Sequence, residues 1–95
     1  MAKYKLSNTA KEDIIRIHQY GVKKFGMLQA DKYFESLFEN FDIITQSPYS
    51  FESVDLIKIG YRPCPCGSDN IYYKMENDTV EIMTIIGRQD INNII

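Results

Sequence analysis

Tryptophan is absent from these 95 residues, histidine occurs once, and cysteine occurs twice. A single histidine removes the paired-histidine arrangements on which many metal and proton-transfer sites depend. Cys64 and Cys66 form a Cys-Pro-Cys run far downstream of His18, so no four-ligand zinc set is present in the sequence. The two thiols read as reduced cysteines in a turn, with a redox pair or half of a metal site shared between subunits as the alternatives. The five glycines are scattered and make no phosphate-binding fingerprint. No cofactor and no resident metal are expected.

Long apolar runs are also missing. None approaches the roughly 18 residues that span a bilayer, and the opening MAKYKLSN has no apolar core of signal-peptide length. A cytoplasmic location with no membrane partner is the expectation. Basic excess is lacking too: 11 lysines and arginines face 13 aspartates and glutamates, for a net charge of −2. Strong sequence-independent binding to nucleic acid needs more positive charge than this.

What remains is ordinary globular material, 44% hydrophobic and 25% charged, in a length suited to one domain over 1–95. Lys3 to Ser7 reads as a short strand. Thr9-Ala10-Lys11-Glu12 fits a capping box, with Ser7 as the alternative cap. Ile14, Ile17, His18, Gly21, Val22 and Phe25 then recur at helical spacing as one buried stripe, and Gly26 is the natural stop. Ala30, Tyr33, Phe34, Leu37, Phe38 and Phe41 continue to Ile44 as a second helical stripe that ends at Ser47-Pro48. The short link makes the helices an antiparallel hairpin.

From Asp55 the period becomes two, with Ile57, Ile59 and Tyr61 alternating with Lys58, Gly60 and Arg62. Pro63 to Gly67 reads as an interruption. Ile71, Tyr73 and Met75 resume the alternation, and Glu76-Asn77-Asp78 has hairpin-turn chemistry. Val80, Ile82, Thr84 and Ile86 are expected on one face of the last strand, with Glu81, Met83 and Ile85 on the other. An apolar tail with a possible helical turn closes the chain. The expected fold is α+β, ordered β-α-α-β-β-β, with the helical hairpin packed on a small, mostly antiparallel sheet.

His18, on the inner helical stripe, reads as a packed or partner-facing side chain rather than a general base. Arg62 and Arg88 each stand at a strand end. They read either as solvated or carboxylate-paired arginines, or as recognition groups for a phosphate or a partner carboxylate. Tyr61, Tyr72 and Tyr73 read as core or cross-strand aromatics, with stacking on bases as the alternative. Ile91, Ile94 and Ile95 either cover a sheet edge or form a partner-binding patch.

The chain resembles the ParE toxins of the RelE/ParE superfamily from end to end. The resemblance runs through Tyr4 to Ser7, Asp13, Ile14, Ile17 and Tyr20, then Gly26, Ala30, Tyr33, Leu37 and Ser47-Pro48. Its most specific stretch is Gly60-Tyr61-Arg62, followed by Pro65, Gly67, Ser68, Ile71 and Tyr73. Val80, Glu81, Ile82 and Arg88-Gln89-Asp90 complete it. The sequence departs from the family pattern at Cys64, where an aromatic is usual, and at Asp69, where a histidine is usual.

The resemblance implies the toxin half of a toxin–antitoxin pair, held by a ParD-like antitoxin and acting, when freed, by binding DNA gyrase and blocking replication. That is target binding, not catalysis. On that reading, the strand-end arginines and the apolar tail give target contacts at Arg62, Arg88, Asp90, Ile91, Ile94 and Ile95, and the apolar stripe of the helical hairpin gives antitoxin contacts at Ile17, Tyr20, Phe34 and Phe38. The alternatives are a RelE-like ribosome-dependent mRNA endonuclease, for which Arg62 and Arg88 could supply the arginines, and an inactive homologue that only binds its antitoxin.

Overall fold

The computed structural model describes residues 4–52 and 59–87. Its elements are β1 (Tyr4–Leu6), α1 (Asn8–Phe25), α2 (Met27–Gln46), β2 (Arg62–Cys66), β3 (Asp69–Glu76) and β4 (Thr79–Gly87). The strands form one sheet in the order β1-β4-β3-β2, with β1 parallel to β4 and the other pairings antiparallel. This is the α+β arrangement expected from the periodicities. The possible C-terminal helical turn lies outside the described residues.

Ser7, not Thr9, caps α1. Its hydroxyl accepts from the Ala10 amide at 2.9 Å and donates to the Met83 carbonyl at 2.7 Å. Gly26 ends α1 and begins α2, with φ 91° and ψ 163°, a region open essentially to glycine alone. Its amide donates to the Val22 carbonyl and its carbonyl accepts from the Ala30 amide, both at 3.0 Å, so one residue closes both helix ends. Opposite Ala30 the helices approach closely: a Cβ on Gly21 would lie 3.3 Å from the Ala30 Cβ.

One face of the sheet carries the hairpin. Leu37, Phe41 and Ile44 of α2 and Ala10, Ile14 and Ile17 of α1 pack against Ile71, Tyr73, Val80, Ile82 and Ile85. Burying side chains of this size contributes about 1.5–3 kcal/mol each. The helical stripes are not buried throughout their length. Between Ile17 and Ala30 no residue is buried, and Phe25, expected in the core, is 62% exposed. The closed end of the hairpin therefore stands outside the core.

Two strand expectations are corrected. Residues 63–66 are not an interruption but the body of β2, paired residue by residue with β3. Proline is tolerated there because β2 is an edge strand, and because Arg62, Cys64 and Cys66 close the ladder while Pro63 and Pro65 face away from it. Of the strand expected before it, Ile57 lies outside the described residues, and Ile59 and Gly60 sit in a turn. Secondly, a bulge shifts the face of β4. Tyr72 pairs with Thr84 but Tyr73 pairs with Ile82, leaving Met83 as the extra residue. After it the alternation inverts, so Ile85 is buried where Thr84 and Ile86 were expected.

Beyond the end of β1, the cap and first turns of α1 complete the β4 ladder. The Ser7 amide donates to the Ile82 carbonyl at 3.0 Å, and Asp13 Oδ2 accepts from the Ile85 amide at 3.0 Å and the Thr84 hydroxyl at 2.6 Å. The β3–β4 turn meets expectation: Asn77 and Asp78 both have positive φ, 52° and 64°, as a two-residue type I′ turn requires.

Candidate functional site

The exposed end of the hairpin has two sides, and the side chains assigned to a partner are divided between them. On one side, a cleft of about 290 Å³ lies between the helices and the strand ends. Ile17, Gly21 and Ala30 contribute short or buried groups, Tyr20, Phe25 and Tyr33 contribute rings, and Arg16, Gln29, Ser68 and Asp69 are polar. Gly87, the last described residue of β4, also borders it.

Tyr33 fixes the wall nearest the sheet. Its hydroxyl lies 2.7 Å from the Cys66 carbonyl and 2.6 Å from Asp69 Oδ2, so its one proton is shared between two acceptors across the β2–β3 turn. Burial first, then the Asp69 carboxylate, raises its pKa well above the usual phenol range. Gly67 leaves room for this ring. A Cβ there would lie 2.6 Å from Tyr33 Cε1, and its φ of 57° is one that side-chain-bearing residues resist.

On the opposite side, Ile15, His18, Gln19, Asp31 and Phe34 line a shallower depression. His18 Nε2 is 2.8 Å from Asp31 Oδ1, and its ring meets Phe34 edge-on at 5.7 Å. Phe34 is followed by Phe38 and Phe41, with successive ring centroids 5.0 Å apart, so a line of aromatics runs from surface to core. Ile17 and Tyr20 thus belong to the cleft, and Phe34 and Phe38 to the aromatic line. His18 is held by an acid and a ring, in keeping with a packed or partner-facing side chain. The polar members of the cleft were missed from sequence, because only the tertiary fold brings Arg16, Tyr33 and Asp69 together.

Arg62 lies at the start of β2 and is already engaged. Its guanidinium donates to the Phe51 carbonyl and stands 5.1 Å from the Tyr49 ring centroid, tying the segment after α2 to the sheet. Beside it, Tyr73 donates to the Pro48 carbonyl at 2.6 Å. Arg88, Asp90, Ile91, Ile94 and Ile95 lie outside the described residues.

Cys64 and Cys66 are both free and buried, in a strand rather than a turn. Asn40 bridges them: its Nδ2 donates to Cys66 Sγ at 3.4 Å and its Oδ1 accepts from Cys64 Sγ at 3.7 Å. Burial, with Cys66 as a lesser cause, pushes the Cys64 thiol up to about 11. A thiol in the state of Cys64 is a poor nucleophile and a poor metal ligand at neutral pH. Among the described residues, no group of three or more histidine, cysteine or acidic side chains could hold a metal ion. No helix among them is long and apolar enough to cross a membrane.

Comparison with known proteins agrees with this architecture. A family model described as "ParE toxin of type II toxin-antitoxin system, parDE" matches residues 4–92. The chain is 30% identical over 86 residues to Toxin ParE1 of Caulobacter vibrioides, covering 90% of this chain and 88% of that protein. Its fold matches a solved structure titled "Chromosomal ParDE TA system from P. aeruginosa" with a TM-score of 0.79 at 17% identity, over 92% of this chain and 96% of that one. With the family pattern running through both helices and the whole sheet, the chain belongs to the ParE toxins of type II toxin–antitoxin systems.

Proposed function

We propose that this ParE toxin is neutralised by a ParD-like antitoxin and, once released, acts by binding DNA gyrase and blocking replication. The observation that carries the reading is the family match over residues 4–92, which includes both the hairpin and most of the segment assigned to the target. The antitoxin contacts are Ile17 and Tyr20 in the cleft and Phe34 and Phe38 in the aromatic line. Tyr20 is 58% exposed and Phe34 38%, so both rings offer apolar surface for a partner to cover. The gyrase contacts are Arg88, Asp90, Ile91, Ile94 and Ile95; Arg62, read from sequence as a further one, is engaged by the Phe51 carbonyl and the Tyr49 ring and is left out of the set.

Binding is preferred to catalysis. A nuclease needs arginines free to reach a scissile phosphate, whereas Arg62 is held by the Phe51 carbonyl and the Tyr49 ring. The net charge of −2 also disfavours close approach to ribosomal RNA.

Conditional expression without antitoxin, read separately for DNA breaks and for mRNA cleavage, tests the reading. Gyrase-dependent breaks without new mRNA ends are expected, and deleting residues 88–95 should abolish them while antitoxin binding persists. Translation-dependent mRNA cuts that vanish in Arg62→Ala would replace the reading with an endonuclease. Unimpaired growth would leave a homologue that only binds its antitoxin.

A further inference from the structure

The cleft between the helices and the β2–β3 turn has an electrostatic character that its apolar lining does not require. At one end lies Asp69, half-buried, with its carboxylate 2.6 Å from the Tyr33 hydroxyl. Among the described residues it forms no ion pair: the salt bridges there are Arg16–Asp13, His18–Asp31 and Lys74–Glu76. The cation bordering the cleft, Arg16, is directed elsewhere, with its Nη2 3.3 Å from Asp13 Oδ1 and 3.0 Å from the Ile85 carbonyl, and it forms no ion pair with Asp69. Among the described residues, then, an acid without a counter-ion closes a space walled by Tyr20, Phe25 and Tyr33.

Aromatic faces attract cations, and a partly enclosed carboxylate attracts them more strongly than one in open water. The same rings already do so with a neighbour that does not line the cleft. Lys24 Nζ stands 5.5 Å from the Tyr20 centroid and 5.7 Å from that of Phe25. The space, about 290 Å³, suits one long side chain rather than a helix or strand. Ile17, Gly21 and Ala30 offer apolar surface to a methylene stem.

We propose that this cleft is the receptor for one basic side chain, lysine or arginine, of the antitoxin, with its cation against Asp69 and its stem along Ile17 and Ala30. The proposal rests on the reading that the antitoxin binds the hairpin, and it adds the chemistry of one anchor. In the depression that holds Phe34, the acid Asp31 is already paired with His18, so this side is left to apolar groups. A toxin of net charge −2 is complementary to a partner segment that carries positive charge.

Two measurements test it. In the first, amide chemical shifts of the isotope-labelled full chain are followed during titration with Nα-acetyl-arginine amide, Nα-acetyl-lysine amide or uncharged Nα-acetyl-norleucine amide. At least one basic probe should shift Gly21, Ala30 and Asp69 and saturate at about millimolar concentration. The norleucine probe should leave them unmoved. Asp69→Asn, which keeps the acceptor for Tyr33, should weaken the basic probe about fivefold or more. Equal shifts from the uncharged probe, shifts confined elsewhere, no shift at all, or an unaffected Asp69→Asn would overturn the proposal.

In the second, the affinity of the co-encoded antitoxin is measured for the wild type, Asp69→Asn and Tyr20→Leu. Asp69→Asn should bind about tenfold or more weakly, and replacing one antitoxin lysine or arginine by methionine should cause the same loss without adding to it. Tyr20→Leu, which leaves the Tyr33 contact intact, should also bind more weakly. Binding of Asp69→Asn within about twofold of wild type would overturn the proposal while leaving antitoxin recognition standing. Failure of the wild type to bind any antitoxin would instead remove the wider reading, with the probe titration still deciding the chemistry of the cleft.

Discussion

The hydroxyl of Tyr33 and the carboxylate of Asp69, 36 residues apart in sequence, sit 2.6 Å from each other. That contact joins the first half of α2 to the start of β3. The Cys66 carbonyl shares the same hydroxyl at 2.7 Å, so one side chain holds both strands beside the β2–β3 turn.

Removing only the hydroxyl measures this tether. Tyr33→Phe leaves a half-buried carboxylate and a carbonyl without their donor, and should lower stability by about 1–2 kcal/mol. Urea denaturation of the purified chain reads this directly as a lower midpoint at unchanged slope. A variant as stable as wild type would show that water replaces the hydroxyl at no cost.

Gly67 and Gly26 separate two reasons for needing glycine. Nothing lies within 4 Å of a Cβ placed on Gly26, so Gly26→Ala should cost backbone strain alone, about 1–3 kcal/mol. Gly67→Ala adds a collision with Tyr33 Cε1 to its positive φ and should cost about 2–4 kcal/mol. Combining Gly67→Ala with Tyr33→Leu should cost less than the sum of the two changes, whereas Gly26→Ala should add to Tyr33→Leu. Additive losses in both pairs would contradict the collision.

Alkaline pH should unfold the chain. Burial pushes Cys64 from its ordinary 9.0 up to about 11 and Tyr73 from 10.0 up to about 12, and it raises Tyr33 in the same direction. Each group holds its proton more tightly folded than unfolded. The stability linked to it is therefore complete below the unfolded value and is lost as pH rises through the folded one. Melting temperature should be insensitive to these groups at neutral pH, fall from about pH 9 with Cys64, and fall more steeply from about pH 10 with the tyrosines. Tyr73→Phe should flatten the upper part of that profile. An unchanged profile in that variant would show that Tyr73 takes no part.

Arg62 should behave as a structural clamp. Arg62→Ala removes the donor to Phe51 and the cation over Tyr49, and should destabilise by about 1–2 kcal/mol. Arg62→Lys keeps the charge but loses the planar guanidinium, so it should recover less than half of the loss. Full recovery by lysine would mean that charge alone suffices there.

The sequence displayed those features whose causes are local. Asn77-Asp78 between two alternating runs specifies its own turn, and Gly26 between two helical stripes specifies the hairpin. Ser47-Pro48 stops α2 where it was read. Edge position is a tertiary property, which is why Pro63 and Pro65 looked like a break rather than a strand. The bulge at Met83 is likewise set by the register with β3 and by Ser7 and Asp13, none of them local to β4. Phe25 fitted the helical stripe, but periodicity does not say how far the sheet beneath a helix extends.

The candidate site divides in the same way. Ile17, Tyr20, Phe34 and Phe38 could be selected from helical spacing and the family pattern, but not sorted into two surfaces. Asp69 and Tyr33 carried no mutual signal, because a contact between a helix and a strand so far apart leaves no spacing to read. Arg62 was visible as a strand-end cation, while its engagement with Phe51 depends on how the chain returns from α2.

The two prolines of β2 also settle how the sheet can grow. Since Pro63 and Pro65 face outward, that margin offers carbonyl acceptors and no amide donors across its middle. A second copy aligned along it would leave its own carbonyls unanswered, so the toxin is protected from stacking edge to edge on that side. Among the described residues the opposite margin, β1, spans Tyr4–Leu6. An open-ended ribbon needs two receptive margins, and among the described strands this sheet has at most one.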